Sequence, residues 1–510
     1  MLTTNSPVAC TLRRVSLGRP SRKLVQENTT DTGFAPPALK KLNGARFTLP
    51  SGAQVLTHAI GRGATQLISS AYASRGLISE GTKVRTDIAP KDTRFGYNMP
   101  AMVRTRLRAG AATVDITPDL AKIRIQLGGY NARLNMPPTG VHDPIYARAL
   151  ALEVGEQSAV IVALDHLLVP YSLTRAVLQA TGLQPAQLFL CASHTHCAPD
   201  SNGLNERMRF PLPGVGTFLP EFLAFTTERV VQAIRQARER MHPATVALAA
   251  AELPNLNRNR RGRRVLDRTM TVARLDDTQG KPIAAVVVFA AHPTIYPHTM
   301  MQVSAEFPGV VQTTLERALG RGAVALYLNG ALGDVSPVAD AGKDAHERVR
   351  LYGTALADHA LRLLRDAQPA PARLQVHQQM ARLPEAQPHP EFQESAGRDF
   401  KVPEALLRQL ARQITPDAAP VSLLALGEML LVGFPGEPIS SLGLQARELG
   451  RKAGFRYVAP VALVNDWIGY ILTRHEYLKG GYEATISFNG PDAGEAIMGA
   501  VRAGISVLRS

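Results

Sequence analysis

Residues 187–200 read Q-L-F-L-C-A-S-H-T-H-C-A-P-D. Every position from Leu188 to Ala192 is apolar, so a strand there has no face suited to water and needs cover on both sides. Strands of that kind belong to α/β proteins, in which helices or a second layer close the sheet. Polar residues then begin abruptly at Ser193, with His194 and His196 directly behind. In an extended segment positions i and i+2 point the same way, so both imidazoles can address one site.

The same pattern recurs along the chain. Apolar runs predict strands at 158–164, 244–250, 270–275, 283–290, 323–328, 421–427, 429–434 and 457–464. Amphipathic stretches between them predict helices at 219–241, 306–319, 345–366, 403–413, 439–452 and 493–508. Strands interspersed with helices, together with the neighbouring strands of 421–434, imply an α/β fold with mixed sheets covered by helices. The Pro-rich stretch 383–400 reads as a surface loop dividing two halves of one unit.

Three further strand ends carry chemically useful residues. His292 closes the strand before H-P-T, and neutral imidazole is a good zinc ligand when a rigid element holds it. Glu437 follows L-L-V-G-F-P-G and precedes a helix, where it is either a metal ligand or a first-turn acid favoured by the helix dipole. The turn N-G-A-L-G-D-V-S-P at 329–337 presents Ser336 towards a ligand, or else Asp334 and Ser336 bond their own backbone. It is not a G-x-S-x-G nucleophile elbow. Four strand ends bearing such groups suit a site, because open α/β sheets bind ligands beyond strand C-termini.

The chain has 510 residues and a net charge of +15. That charge is uneven: residues 1–108 hold 17 Lys/Arg against 5 Asp/Glu, leaving only +3 for the other 402 residues. Residues 1–104 are rich in Ser, Thr, Gly, Pro and basic residues without sustained apolar period, the composition of a disordered extension. The folded body is expected over 105–510. One basic cluster lies in it, Arg258, Arg260, Arg261, Arg263 and Arg264, readable as a solvated loop or a phosphate-binding patch. No nucleic-acid module is present, so no nucleic-acid partner is expected.

No run of 18 apolar residues spans a bilayer, although peripheral membrane contact is compatible with the composition. The N-terminus shows no secretory h-region; its Arg, Ser and Thr with no acid before Glu27 also occur in transit peptides, but with stronger amphipathic periodicity. Three cysteines, Cys10, Cys191 and Cys197, make no disulfide framework. A cytoplasmic location is the expectation.

Taken in order, the motifs resemble those of the neutral/alkaline non-lysosomal ceramidase family over about residues 107–490. They are A-G-A-A-T-V-D-I-T-P at 109–118, G-G-Y at 128–130, G-V-H-D-P-I-Y-A-R-A-L at 140–150, S-H-T-H-C-A-P at 193–199, H-P-T at 292–294, G-D-V-S-P at 333–337, P-G-E at 435–437 and N-D-W-I-G-Y-I-L-T-R-H-E-Y-L-K-G-G-Y-E at 465–483. The resemblance implies a zinc-dependent amidohydrolase of sphingolipid metabolism acting on a small amphiphilic N-acyl substrate. It implies His194, His292, Glu437 and Tyr470 as zinc ligands. His196 is then the proton-transfer residue, Arg258 an active-site arginine with Arg260 a close competitor, Tyr482 a second active-site tyrosine, and Ser336 an orienting hydroxyl or, alternatively, a nucleophile. Val338 stands where the family pattern has Asn, Cys197 where it often has Ser, and Trp467 where it often has Tyr. The alternatives are a zinc hydrolase of another amide or ester, or a non-catalytic binding protein on the same fold.

Overall fold

The structure, a computed structural model, describes residues 106–400 and 403–509. The basic extension expected over residues 1–104, and Cys10 with it, lie outside the described residues.

Two sheets form the framework. The larger runs in the order Val324–Asn329, Pro282–Phe289, Thr269–Asp277, His242–Glu252, Leu107–Asp115, Tyr146–Val154, Gln157–Leu164 and Leu188–Ala192, with Gln368–Ala370 paired to His242–Glu252. Its middle is antiparallel, whereas the outermost pair at each end is parallel. The smaller sheet orders Leu374–Arg382, Ala418–Leu426, Met429–Gly433 and Tyr457–Val461, its last pair also parallel. Mixed sheets are therefore observed, as expected.

Side-chain alternation explains why the strands are apolar throughout. In the Leu188–Ala192 strand, Leu188, Leu190 and Ala192 pack outward with Leu173, Val177, Phe222 and Val230 of the helices Tyr171–Thr181 and Pro220–Glu239. Phe189 and Cys191 point the opposite way, into a core shared with Leu424, Leu431 and Ala459 of the smaller sheet. The two sheets thus stack face to face. Helices Glu306–Leu319 and Ala345–Arg365 cover the other half of the larger sheet, and Ser440–Lys452 and Ala493–Arg509 cover the smaller. Four layers, helix–sheet–sheet–helix, result.

All nine strand expectations correspond to observed strands. Leu107–Asp115, Tyr146–Val154 and Leu374–Arg382 were not anticipated. The first is diluted by Gly and Ala, which carry little strand signal. Leu374–Arg382 is an edge strand left half exposed, so its sequence is polar. The stretch 383–400 is more than a surface loop: Leu383, Phe392 and Ala396 are buried in the core of the smaller sheet. Among the described residues no helix is long and apolar enough to cross a membrane.

Candidate metal centre and active site

The parallel pairs put four strand C-termini in one region, and Asn329 fastens them. Its Nδ2 donates to Ser193 O at 2.9 Å and to Ala291 O at 2.8 Å, while its Oδ1 accepts from Ala291 N at 3.2 Å. One amide therefore locks the residues immediately before His194 and His292 to the end of a third strand. Just beyond it, a Cβ at Gly333 would lie 2.5 Å from Glu437 O, so only glycine permits the turn to approach the fourth strand end.

His194 sits in the left-handed region, φ 72°, costly for a residue with a Cβ. Its Nδ1 lies 2.7 Å from Leu167 O, and a carbonyl can only accept, so Nδ1 donates there and Nε2 is the nitrogen left to face the cluster. That Nε2 stands 3.1 Å from Nε2 of His292 and 3.4 Å from Oε2 of Glu437. The other Glu437 oxygen, Oε1, accepts from Trp467 Nε1 at 3.0 Å. All three residues are buried. Burial opposes ionisation of Glu437, but His194, Trp467 and Arg260 outweigh it and its pKa is lowered. The second sheet's extension supplies Tyr470: Glu437–Pro438 pairs in parallel with Tyr470–Ile471, Glu437 opposite Tyr470. Burial, then the Glu437 charge, push the Tyr470 phenol well up, with Arg260 pulling the other way.

His196 completes the cluster, its ring 5.0 Å from that of His194 and 5.1 Å from that of His292. Ligand atoms of the three histidines lie within 4.8 Å of one another, the one such group able to hold a metal among the described residues. Neither ring nitrogen of His196 makes a hydrogen bond. Burial, and then the charges of neighbours including Arg260, hold both His196 and His292 well below the ordinary histidine range, so both are neutral at pH 7.

Arg258 and Ser336 are not brought into this group. They face each other across the antiparallel pair Asn257–Asn259 with Val335–Pro337; Arg258 is exposed, Ser336 half-buried, and neither lines the cavity described below. Arg260 enters instead. Oδ1 of Asn259 accepts from Arg261 N at 2.9 Å and Arg263 N at 3.2 Å, closing a loop. The alternation of the strand stops there, and Arg260 turns inward. Its Nη2 donates to Tyr470 Oη and to Gly333 O, both at 2.9 Å, and its Nε to Glu483 Oε1 at 2.8 Å. Of the basic cluster, Arg261 and Arg263 are paired with Glu476 and Glu483, which favours a structural loop over a phosphate patch. Asp334 binds Ser440 through Oδ1, 2.7 Å to both N and Oγ, and so secures the turn to a helix.

Beside the histidine cluster opens a cavity of about 1250 Å³ including its mouth. His194, His196, Glu437 and Tyr470 form its floor, with Tyr482 on the wall, half exposed and 6.0 Å ring to ring from Tyr470. Most of the rest is apolar: Leu168, Met208, Leu212, Phe392, Trp467, Ile486 and Phe488, with Leu407, Leu410 and Ile414 from the helix Glu404–Ile414. Sequence reading gave no role to Asn329, to Trp467 beyond its departure from Tyr, or to Arg133. The last donates from Nη1 to Gly128 O at 2.7 Å and His196 O at 2.6 Å. A single buried Arg or Asn carries no pattern from which such long-range bonds could be read.

Comparison with known proteins agrees with this architecture. The family model described as neutral/alkaline non-lysosomal ceramidase, N-terminal, matches residues 107–350. Neutral ceramidase B of Dictyostelium discoideum is 27% identical over 257 residues, covering 45% of this chain and 35% of that protein, about a third of its length. Neutral ceramidase of Pseudomonas aeruginosa is 22% identical over 473 residues, 75% of this chain and 69% of that one. The crystal structure of the Pseudomonas aeruginosa neutral ceramidase shares the fold with a TM-score of 0.69 at 21% identity, covering 79% of this chain and 75% of that one. With the motifs in order, the N-terminal model matched over residues 107–350 and the fold shared, the chain resembles the neutral/alkaline non-lysosomal ceramidases in sequence and in fold.

Proposed function

We propose that the chain is a zinc-dependent hydrolase that cleaves the amide bond of an amphiphilic N-acyl substrate, ceramide first among them, into a long-chain amine and a fatty acid. The observation that carries this reading is the facing pair of Nε2 atoms, 3.1 Å apart, on buried His194 and His292. Two ring nitrogens facing each other at this distance repel unless a proton or a cation lies between them. Tetrahedral zinc with bonds of about 2.0–2.1 Å sets its nitrogens about 3.3 Å apart, close to this spacing. The Glu437 oxygen near them makes no hydrogen bond, as a donor reserved for a metal would not. His194, His292 and Glu437 would hold the ion, with Tyr470 adjoining Glu437 as the fourth ligand. Zinc bound there supplies a Lewis acid and acidifies a water molecule.

The chain's own residues do the rest. Neutral His196, with both nitrogens unengaged, takes the proton from the attacking water and returns it to the nitrogen of the departing amine. Tyr482, on the wall beside Tyr470, donates to the oxygen on which charge develops. Arg260 holds the Tyr470 hydroxyl in place, taking the position expected of Arg258. Ser336, outside the cavity wall, has no step in bond cleavage. The apolar wall excludes water and accepts the aliphatic chains, and the family match and the Pseudomonas aeruginosa fold support the same substrate class. A catalytic body of residues 105–510 with a dispensable extension, in the cytoplasm, completes the proposal.

Metal analysis coupled to hydrolysis of a fluorescent ceramide tests it. About one zinc per chain is expected, with activity lost to a chelator and restored by zinc. Activity undiminished in metal-free protein would overturn the zinc assignment. Zinc-loaded protein inert to ceramide but active on another N-acyl amide or an ester would move the substrate and keep the chemistry.

A further inference from the structure

Trp467 donates its indole N–H to Glu437 Oε1 at 3.0 Å, while Glu437 Oε2 is left 3.4 Å from His194 Nε2 without a hydrogen bond. One carboxylate oxygen is thereby tethered and the other aimed at the histidine pair. We propose that Trp467 is a positioning residue, whose N–H fixes the Glu437 carboxylate so that it meets a metal through Oε2 alone. This rests on the metal reading above.

The indole is itself held firmly, and the reason lies in its two preceding residues. Asn465 adopts φ 62°, a conformation Asn tolerates better than most residues. Its side chain then imitates a strand: Oδ1 accepts from Leu190 N at 3.0 Å and Nδ2 donates to Leu188 O at 2.7 Å. That extends the edge of the strand leading to His194. Asp466, also buried, accepts through Oδ1 from Trp467 N at 2.8 Å and from Tyr171 N at 3.1 Å, at the start of the Tyr171–Thr181 helix. Residues 465–467 are thus a clamp. Asn465 binds the strand that carries His194, Asp466 binds a neighbouring helix, and Trp467 reaches across to Glu437. Two candidate ligands from different sheets, His194 and Glu437, are set relative to each other through this one segment.

A freely rotating carboxylate would offer either oxygen, or both, to the metal, and would lose orientational entropy on binding. Hydrogen-bond partners behind a ligand are worth about 10–100-fold in metal affinity. Trp467→Phe keeps an aromatic ring on the cavity wall and removes only the donor. The full chain, stripped of metal and titrated with zinc against a competing chelator, should bind zinc about 10–100-fold more weakly in this variant. The decisive measurement is a double-mutant cycle with Glu437→Ala. A residue acting through Glu437 adds nothing once Glu437 is gone, so the two losses should not add. Unchanged zinc affinity in Trp467→Phe, or fully additive losses, would overturn the inference. Wild-type protein without zinc affinity would remove the metal reading itself and this inference with it. Should Trp467→Phe fail to fold, Trp467→Leu in the same cycle is read by the same criteria.

Discussion

Gly129 lies flat against the ring of His196: a Cβ added to it would stand 2.4 Å from Nδ1 of that histidine, and its φ of 86° disfavours any other residue. The G-G-Y motif is therefore part of the candidate site's shape, with Tyr130 packing its own ring 4.9 Å from His196. Gly129→Ala should push the imidazole away from His194 and His292. We expect kcat/KM for ceramide to fall at least tenfold, with about 1–3 kcal/mol lost in stability from the strained backbone. Steady-state kinetics and thermal melts check both.

His196→Ala separates two roles for this histidine, since its nitrogens also lie within the metal-capable cluster. As the proton carrier, its loss should cost about 10²–10⁴ in rate while zinc content stays at the wild-type level. Zinc lost together with activity would make His196 a ligand. The ratio of bound zinc to protein decides.

Arg260 and Arg258 should behave oppositely. Arg260→Ala leaves Glu483 and the Tyr470 hydroxyl without their shared donor, so a fall in kcat/KM of about tenfold or more is expected. Arg258→Ala, at an exposed position, should stay within about twofold of wild type, as surface substitutions usually do. Ser336→Ala should retain most of the activity, and no acyl adduct on Ser336 should be trapped in the wild type by mass spectrometry.

Acid should destabilise the protein through His166. Fully buried, with neither ring nitrogen hydrogen-bonded, it is lowered by desolvation from 6.5 to about 4. The unfolded chain therefore binds the proton first. Stability contributed by the neutral ring is intact above about pH 6.5 and is lost as pH falls towards 4, reaching on the order of 2 kcal/mol by pH 5. His166→Leu should flatten that limb of the stability curve. Denaturant melts from pH 7.5 to 4.5 measure it, and an unchanged slope would remove His166 as the cause.

A chain shortened to begin at Met102 should fold and keep its activity. It retains the central strand Leu107–Asp115, whose Leu107 and Ala109 are buried, and sheds only residues outside the described ones. Insolubility or a much lower melting temperature would show that the extension contributes to the fold.

The sequence alone determined the fold class and most of the strand ends, because local periodicity reports burial directly. A run such as Leu188–Ala192 is apolar on both faces only if both are covered, and the switch to polar residues marks where the strand leaves the core. His194, His196, His292 and Glu437 were legible for that reason, each standing one or a few residues past such a run. What only the tertiary structure decided was which of them meet and what holds them. Nothing local in Asn329 announces that its amide would bind the residues before both His194 and His292, nor in Trp467 that its N–H would reach Glu437. Arg258 and Arg260 are indistinguishable in the string N-R-N-R. They part because Asn259 closes a loop on Arg261 and Arg263, after which the alternation of the strand no longer sets which way a side chain points. Periodicity is a property of neighbours in the chain. The bonds that complete this site join residues tens to hundreds of positions apart, and only packing brings those together.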